Sequence, residues 1–182
     1  MATTSSKPRI PAAQRRDALI DAAVEEFAHG GLHATPVDRI ARRVGVAQPY
    51  VFSLFPTKKD LFIAAVERGF ERTMEVFAGA SEMTFKGLGD AYVELLMRDR
   101  TLLTLQLHAY AAAADDEVIA SHVRQAYAGL LEQVRALTGA TDDELQEFSA
   151  HGMWINVQAA MNLDDLEESC GWIKRRHEES EE

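Results

Sequence analysis

The sequence predicts an all-α fold: a three-helix N-terminal unit followed by a longer helical body. Three observations carry this. Apolar residues recur at i, i+3, i+4 and i+7 along most of the chain. No run alternates strictly or pairs across an Asn-Gly or Asp-Gly turn, so strand signals are almost absent. Thr-Pro, Thr-x-x-Asp, Thr-x-x-Glu and well-placed glycines punctuate the periodic runs as helix starts and stops.

Residues 1–10 read as an arm carrying Lys7 and Arg9. The first helix is expected from Ala12 to His29, with Ile20, Ala23, Val24 and Phe27 on one face and Gly30-Gly31 as its stop. Thr35 suits an N-cap with Pro36 in the first helical position. The second helix turns Val37, Ile40, Ala41 and Val44 inward, and Gly45 ends it. A short third helix spans about Ala47 to Phe55, and Pro56 forces the chain out of it. Thr57 and Asp60 form a capping pair for a fourth helix reaching about Ala78. The expected division is therefore 1–60 for the N-terminal unit and 61–182 for the body.

In the body, "MTFKGLGDAYVELLMR" reads as one amphipathic helix. The stretch from Thr101 to Ala114 carries no charge and is expected to be central and nearly enclosed. Another helix follows from Asp115, ending at Gly139. Thr141 and Glu144 cap the next, which has no Asp, Glu, Lys or Arg between Phe148 and Leu163. One face of that helix holds Leu145, Phe148, Gly152, Ile155 and Ala159; another holds Ala150, Met153, Trp154, Val157 and Met161. Two apolar faces require two partners, the chain's own core and a second copy of the chain. The dimer surface is placed on Phe148, Gly152, Ile155 and Ala159, joined by Leu166 of a last helix over Asp165 to His177.

Charge divides the chain in the same place. Residues 1–60 hold nine Lys/Arg against six Asp/Glu, and residues 61–182 hold ten against twenty-three, within a formal net charge of −10. A basic contact end on an acidic body is one reading; an acidic protein with a basic tail is the other. The apolar share is 47%, but no uncharged run is long and apolar enough for a membrane span, and the N-terminus lacks a secretory h-region. With Cys170 as the single cysteine, an intrachain disulfide and a multi-cysteine metal site are excluded, and a cytoplasmic location is expected.

A helix, a glycine turn and a short helix make the helix-turn-helix pattern, whose second helix enters the DNA major groove. From Leu19 to Phe62 the chain resembles the tetracycline-repressor-type (TetR) family of transcription regulators. The resemblance rests on Ala22, Ala23, Phe27, Gly31, Thr35, Ile40, Ala41, Gly45, Val46, Phe52, Phe55, Lys58 and Leu61. It implies an all-helical ligand-binding and dimerisation body, and hence a homodimeric, ligand-responsive repressor on a palindromic operator. It also assigns the third helix to the groove. With Val46, Val51 and Phe55 needed for the core, Ala47, Gln48, Pro49, Tyr50, Ser53 and Leu54 are left outward, and Gln48, Pro49, Tyr50 and Ser53 are the candidates to face DNA. Gln48 is the best base reader, since its amide pairs bidentately with adenine. Thr35 and Lys58 are expected at phosphates, with Arg39 and Arg43, and also Arg42, Lys59, Arg15 and Arg16, as candidates on the flanks. Phe52 departs from the family, which commonly has tyrosine there; the lost hydroxyl shifts the load to Tyr50, Ser53 and Lys58.

Enzyme signals are weak. The six histidines show no metal-ligand spacing, His108 has no carboxylate in register, and Asp115, Asp116 and Glu117 read as an acidic first helical turn. No catalytic residue, cofactor or metal is expected. Phe70, Met74, Tyr92, Leu96, Leu103, Leu107, His108, Tyr127 and Trp154 are candidates for an effector site, and a pocket of such groups favours an apolar or aromatic ligand. Aromatics and methionine at helical spacing first explain packing, so ordinary core is the favoured reading of each. Two rivals stay open: a helical interaction protein that has lost operator binding, and a small-molecule-binding or enzymatic helical domain.

Overall fold

The computed structural model describes residues 12–163, and these form eight α-helices. The arm carrying Lys7 and Arg9, the expected helix over Asp165 to His177, Leu166 and Cys170 lie outside the described residues.

The first helix, α1 (Ala12–Ala34), runs further than its glycines suggest, because a last turn continues beyond a break at Gly31 (φ 59°, ψ −170°). α2 (Val37–Val44) begins one residue later than expected. Pro36 holds the N-cap position, since the Thr35 hydroxyl does not cap this helix but donates to the Glu26 carbonyl in α1. Gly45 closes α2 in the left-handed conformation (φ 74°, ψ 33°), with Gly45 N–H on Arg42 O at 3.1 Å and Val46 N–H on Ala41 O at 3.0 Å. α3 (Gln48–Leu54) follows at once. α4 (Lys58–Ala78) opens with the expected capping box, Thr57 and Asp60 satisfying each other's backbone N–H groups.

α5 (Phe85–Arg98), α6 (Thr101–Asp115), α7 (Glu117–Thr138) and α8 (Asp142–Met161) build the body. Asp116 caps α7 through Val118 and Ile119 N–H; Gly139 ends it at φ 74°; Thr141 and Glu144 box the start of α8. α1 packs on α2, α4 and α6, and α4 in turn on α5, α6 and α7. The expected division at residue 60 therefore falls within the first turn of α4, a helix that runs unbroken into the body. One apolar core joins the two parts. Leu19, Ala23, Val24 and Phe27 of α1 share it with Ile40, Val51, Leu61, Phe62 and Leu105, and Phe27 meets Phe62 edge to face at 5.0 Å.

α6 is central but less enclosed than its lack of charge suggests. Leu103, Leu105 and Ala109 are buried, while Leu102, Gln106, Leu107, His108 and Tyr110 are half-buried. Its neutrality is explained on one side by α1, α4 and α7 and on another by the neutral hydrogen bond that Gln106 accepts from Asn156 of α8.

Two observations concern α8. Phe148 stacks on Phe85 at 5.2 Å and meets Phe77 edge to face at 5.9 Å, and Ile155 and Ala159 pack on the same core. Of the face chosen for the dimer, Phe148, Ile155 and Ala159 are thus half-buried against the chain's own core, with Phe148 held by the aromatic side chains of α4 and α5, while the space beside Gly152 is open. The outward face is the other: Trp154 is 38% exposed, Val157 39% and Met161 56%. Trp154, also named for the effector site, accordingly stands at the surface and not among the interior groups.

Candidate nucleic-acid interface

The exposed side of the helix-turn-helix is set by which residues of α3 the core claims. Val51 and Phe55 are buried, and Val46, Tyr50 and Leu54 pack partly against the core. Gln48, Pro49, Phe52 and Ser53 are exposed on the remaining surface of α3. Phe52 is a large apolar ring left 39% exposed, so it forms part of this surface. Ser53 donates its hydroxyl to Tyr50 O at 2.7 Å, which occupies its proton and leaves its lone pairs outward. Arg15 lies over the Tyr50 ring at 5.8 Å and Arg16 over Phe55 at 4.9 Å, so the start of α1 braces α3 through cation–π contacts.

Among the described residues, the expected cations are held by partners within the chain. Lys58 donates to His33 O at 2.9 Å, and desolvation holds its pKa below the usual lysine value. An ammonium has three donors, so this bond fixes the side chain and leaves others for a phosphate. Arg39 and Arg43 both turn to the Glu26 carboxylate, and Arg42 pairs with Asp38 at 2.8 Å. Lys59 is drawn away from any DNA surface and pairs with Asp116 at the start of α7. Hydrogen bonding to Lys59 and to the Ile119 and Val118 N–H groups holds Asp116 below the ordinary carboxylate range. Thr35 is buried and its hydroxyl proton is spent on Glu26 O, so its hydroxyl is not a free donor for a phosphate. The sequence reading missed Glu26 altogether. It is a carboxylate only 6% exposed, on the apolar face of a helix beside Phe27, and that placement was the available signal.

In the body, the candidate effector residues divide. Phe70, Tyr92, Leu96 and Leu103 are buried; Met74, Leu107 and Tyr127 are half-buried and packed on the core. Phe70 and Tyr127 meet edge to face at 6.4 Å. His108 points the other way, its ring lying against Gly31 of α1. The cleft lined by Phe70, Thr73, Leu102 and Gln106 between α4 and α6 encloses about 10 Å³, room for one water. Sequence reasoning, looking for aromatic groups, overlooked the amides. The Tyr92 hydroxyl donates to Asn156 Oδ1 at 2.8 Å, Asn156 Nδ2 to Gln106 Oε1 at 3.5 Å, and Gln106 to the Tyr110 hydroxyl. Burial pushes the Tyr92 phenol up to about 12 against the opposing bond to Asn156. Among the described residues no group of three or more His, Cys, Asp or Glu is placed to hold a metal, and no helix is long and apolar enough to cross a membrane.

Comparison with known proteins falls on the same part of the chain. Residues 19–65 match the family model described as bacterial regulatory proteins, tetR family. The HTH-type transcriptional activator FasR of Mycolicibacterium smegmatis is 40% identical over 60 residues, which cover 33% of this chain and 27% of FasR. The match thus spans about a quarter of that relative's length. Over the whole fold, a TetR-family structure from Streptomyces coelicolor aligns with a TM-score of 0.64 at 23% identity, covering 82% of this chain and 88% of its own. The multidrug binding protein EbrR, solved with proflavin, aligns at 0.62 and 22% identity, covering 81% and 89%.

Proposed function

Residues 19–65 form a tetR-family helix-turn-helix domain, and from that premise we propose that the chain is a ligand-responsive transcriptional regulator, a repressor that binds a palindromic operator as a homodimer in the cytoplasm. The observation that carries the reading is α3: its Val51 and Phe55 are locked in the core while Gln48, Pro49, Phe52 and Ser53 stand exposed. Gln48 reads an adenine edge, Pro49 and Phe52 touch thymine methyls, and Tyr50 and Ser53 reach sugar or phosphate. Lys58, anchored on His33 O, supplies a phosphate contact. FasR is named an activator, so the sign of regulation depends on where the operator lies.

One helix-turn-helix reads one half-site, and a palindrome requires two recognition helices about one DNA turn apart (~34–36 Å). The exposed apolar face of α8 supports a second copy as the partner, with Val157 and Met161 on it and Val93 and Met97 exposed on neighbouring α5. We expect wild-type protein to elute as a dimer in sizing chromatography and Val157→Glu to elute as a monomer with unchanged helix content. A wild-type monomer at micromolar concentration would count against the dimer.

The effector is proposed as a small apolar or aromatic molecule entering among α4 to α8. The Tyr92–Asn156–Gln106–Tyr110 chain offers it hydrogen-bond partners. Because the cleft there is nearly filled, binding must open it, and that requirement is a means of shifting the equilibrium between two states of the body. EbrR holding proflavin supports such a site by analogy of fold.

The decisive measurement is fluorescence anisotropy with palindromic duplexes selected from a random pool. Specific binding that weakens steeply with salt is expected; no preference over random duplex at any salt would defeat the reading. Lys58→Ala is expected to weaken binding to every sequence by on the order of tenfold and to reduce the salt slope by about 1 per subunit. Phe52→Tyr should bind equally well or more tightly, since it returns a hydroxyl at an exposed position. Unaltered binding by Lys58→Ala would remove that residue from the interface.

A further inference from the structure

Glu26 is a buried carboxylate serving two arginines. Its Oε1 accepts from Arg43 Nη1 at 2.9 Å; its Oε2 lies 2.6 Å from Arg39 Nε, close enough for an ion pair but without hydrogen-bond alignment. The side chain is 7% exposed, while those of Arg39 and Arg43 are 59% and 51% exposed. Each guanidinium therefore presents one nitrogen to α1 and the rest to solvent. Arg39 and Arg43 stand at i and i+4 on α2, the helix that precedes the recognition helix, so the two free forks lie side by side on one face. The Glu26 backbone is pinned as well, because its carbonyl accepts the buried Thr35 hydroxyl at 3.1 Å, just before α2 begins.

An acid in this place has no use as core. A buried pair is weak evidence for stability, and an apolar residue of similar volume would serve packing as well or better. What the arrangement does supply is order. A long arginine side chain loses rotamer freedom when it clamps a phosphate, and here that loss has already occurred before DNA arrives. A guanidinium carries five donors in a rigid fork, so it can hold Glu26 with one edge and accept a phosphate on another.

We propose that Glu26 is a positioning residue for DNA binding: it holds Arg39 and Arg43 in the orientation in which both grip backbone phosphates beside the recognition helix. This rests on the reading of the chain as a DNA-binding regulator. The opposite role, a carboxylate competing with phosphate for the same arginines, has the opposite sign. Removing the carboxylate adds one unit of positive charge near the DNA, an effect that salt screens beyond about 8–10 Å. Lost order is not screened. The net result of neutralising Glu26 is therefore weaker binding, most clearly at higher salt.

The test uses the full chain and a random-sequence duplex, because phosphate contacts do not depend on sequence. Glu26→Gln, Arg39→Ala, Arg43→Ala and the combinations with Glu26→Gln are titrated by anisotropy from about 50 to 200 mM salt, with folding checked by circular dichroism. Glu26→Gln is expected to lower affinity about 5- to 30-fold, with a steeper fall in salt than wild type. Its effect should largely vanish in the background lacking both arginines, which a merely structural role would not do. Should Glu26→Gln fail to fold, Arg39→Lys with Arg43→Lys carries the test: charge is kept, the fork is lost, and affinity should still drop. Equal or tighter binding by Glu26→Gln, additive losses, or wild-type affinity in the double lysine variant would overturn the proposal. If wild type binds no duplex at any salt, it is the DNA-binding reading that fails, and Glu26 is then overturned with it.

Discussion

Phe27→Ala is expected to lower stability by ~3–5 kcal/mol, a large part of the ~5–15 kcal/mol that a domain commonly has. Phe27 has no exposed surface and sits in α1 where that helix meets α2, α4 and α6. Its ring meets Phe62 of α4 at 5.0 Å with the planes at 89°, so it packs where α1 and α4 join. Truncation removes the aromatic pair and leaves a cavity at the joint between the N-terminal unit and the body, where α1 is packed by α2, α4 and α6. Thermal unfolding followed by helix signal checks it. Phe27→Leu, which keeps most of the apolar volume, should recover the greater part of the loss. A wild-type midpoint for Phe27→Ala would show that the joint is not where the core is concentrated.

Most of the fold was legible in the sequence because its signals are local. Thr57 with Asp60 and Thr141 with Glu144 form the capping boxes that their spacing predicts, and Gly45 and Gly139 adopt the positive φ that a helix end demands. The exposed side of α3 followed in part by subtraction: naming Val51 and Phe55 as core leaves Gln48, Pro49 and Ser53 outside, but Tyr50 and Leu54, left outside with them, pack partly against the core. Long-range pairing was less legible. Nothing in the local pattern says that Glu26 reaches Arg39 and Arg43, that Thr35 spends its hydroxyl on Glu26 O, or that Lys59 binds Asp116 across 57 residues. α8 shows the same limit. Periodicity gave two apolar faces correctly, but which one turns inward depends on Phe77 and Phe85, residues of other helices. The interior amides Gln106 and Asn156 escaped notice because a neutral polar residue in an apolar helix has no pattern of its own until its partner is known.

His108 and Gly31 carry the second large effect, at a contact between the body and the N-terminal unit. Gly31 adopts φ 59° and ψ −170°, a region that residues with a side chain almost never occupy. A Cβ added there would lie 2.7 Å from His108 Nδ1 on α6. The break in α1 just ahead of Thr35 and α2 is thus in direct contact with the body's central helix. Gly31→Ala meets two penalties, a backbone cost on the order of 1–3 kcal/mol and displacement of the His108 ring. Together they are expected to lower the midpoint of unfolding by about 5–15 °C and to weaken DNA binding, because α2 and α3 follow directly from the altered turn. His108→Ala alone should do little. Combined with Gly31→Ala it should restore the part due to the clash but not the part due to φ, so the two substitutions are non-additive in a double-mutant cycle. DNA affinity separates coupling from plain stability. If the His108 contact transmits the state of α6 to the turn, the double variant should bind DNA nearer to wild type than its remaining loss of stability implies. Strict additivity in both readouts would mean that His108 only fills space beside Gly31.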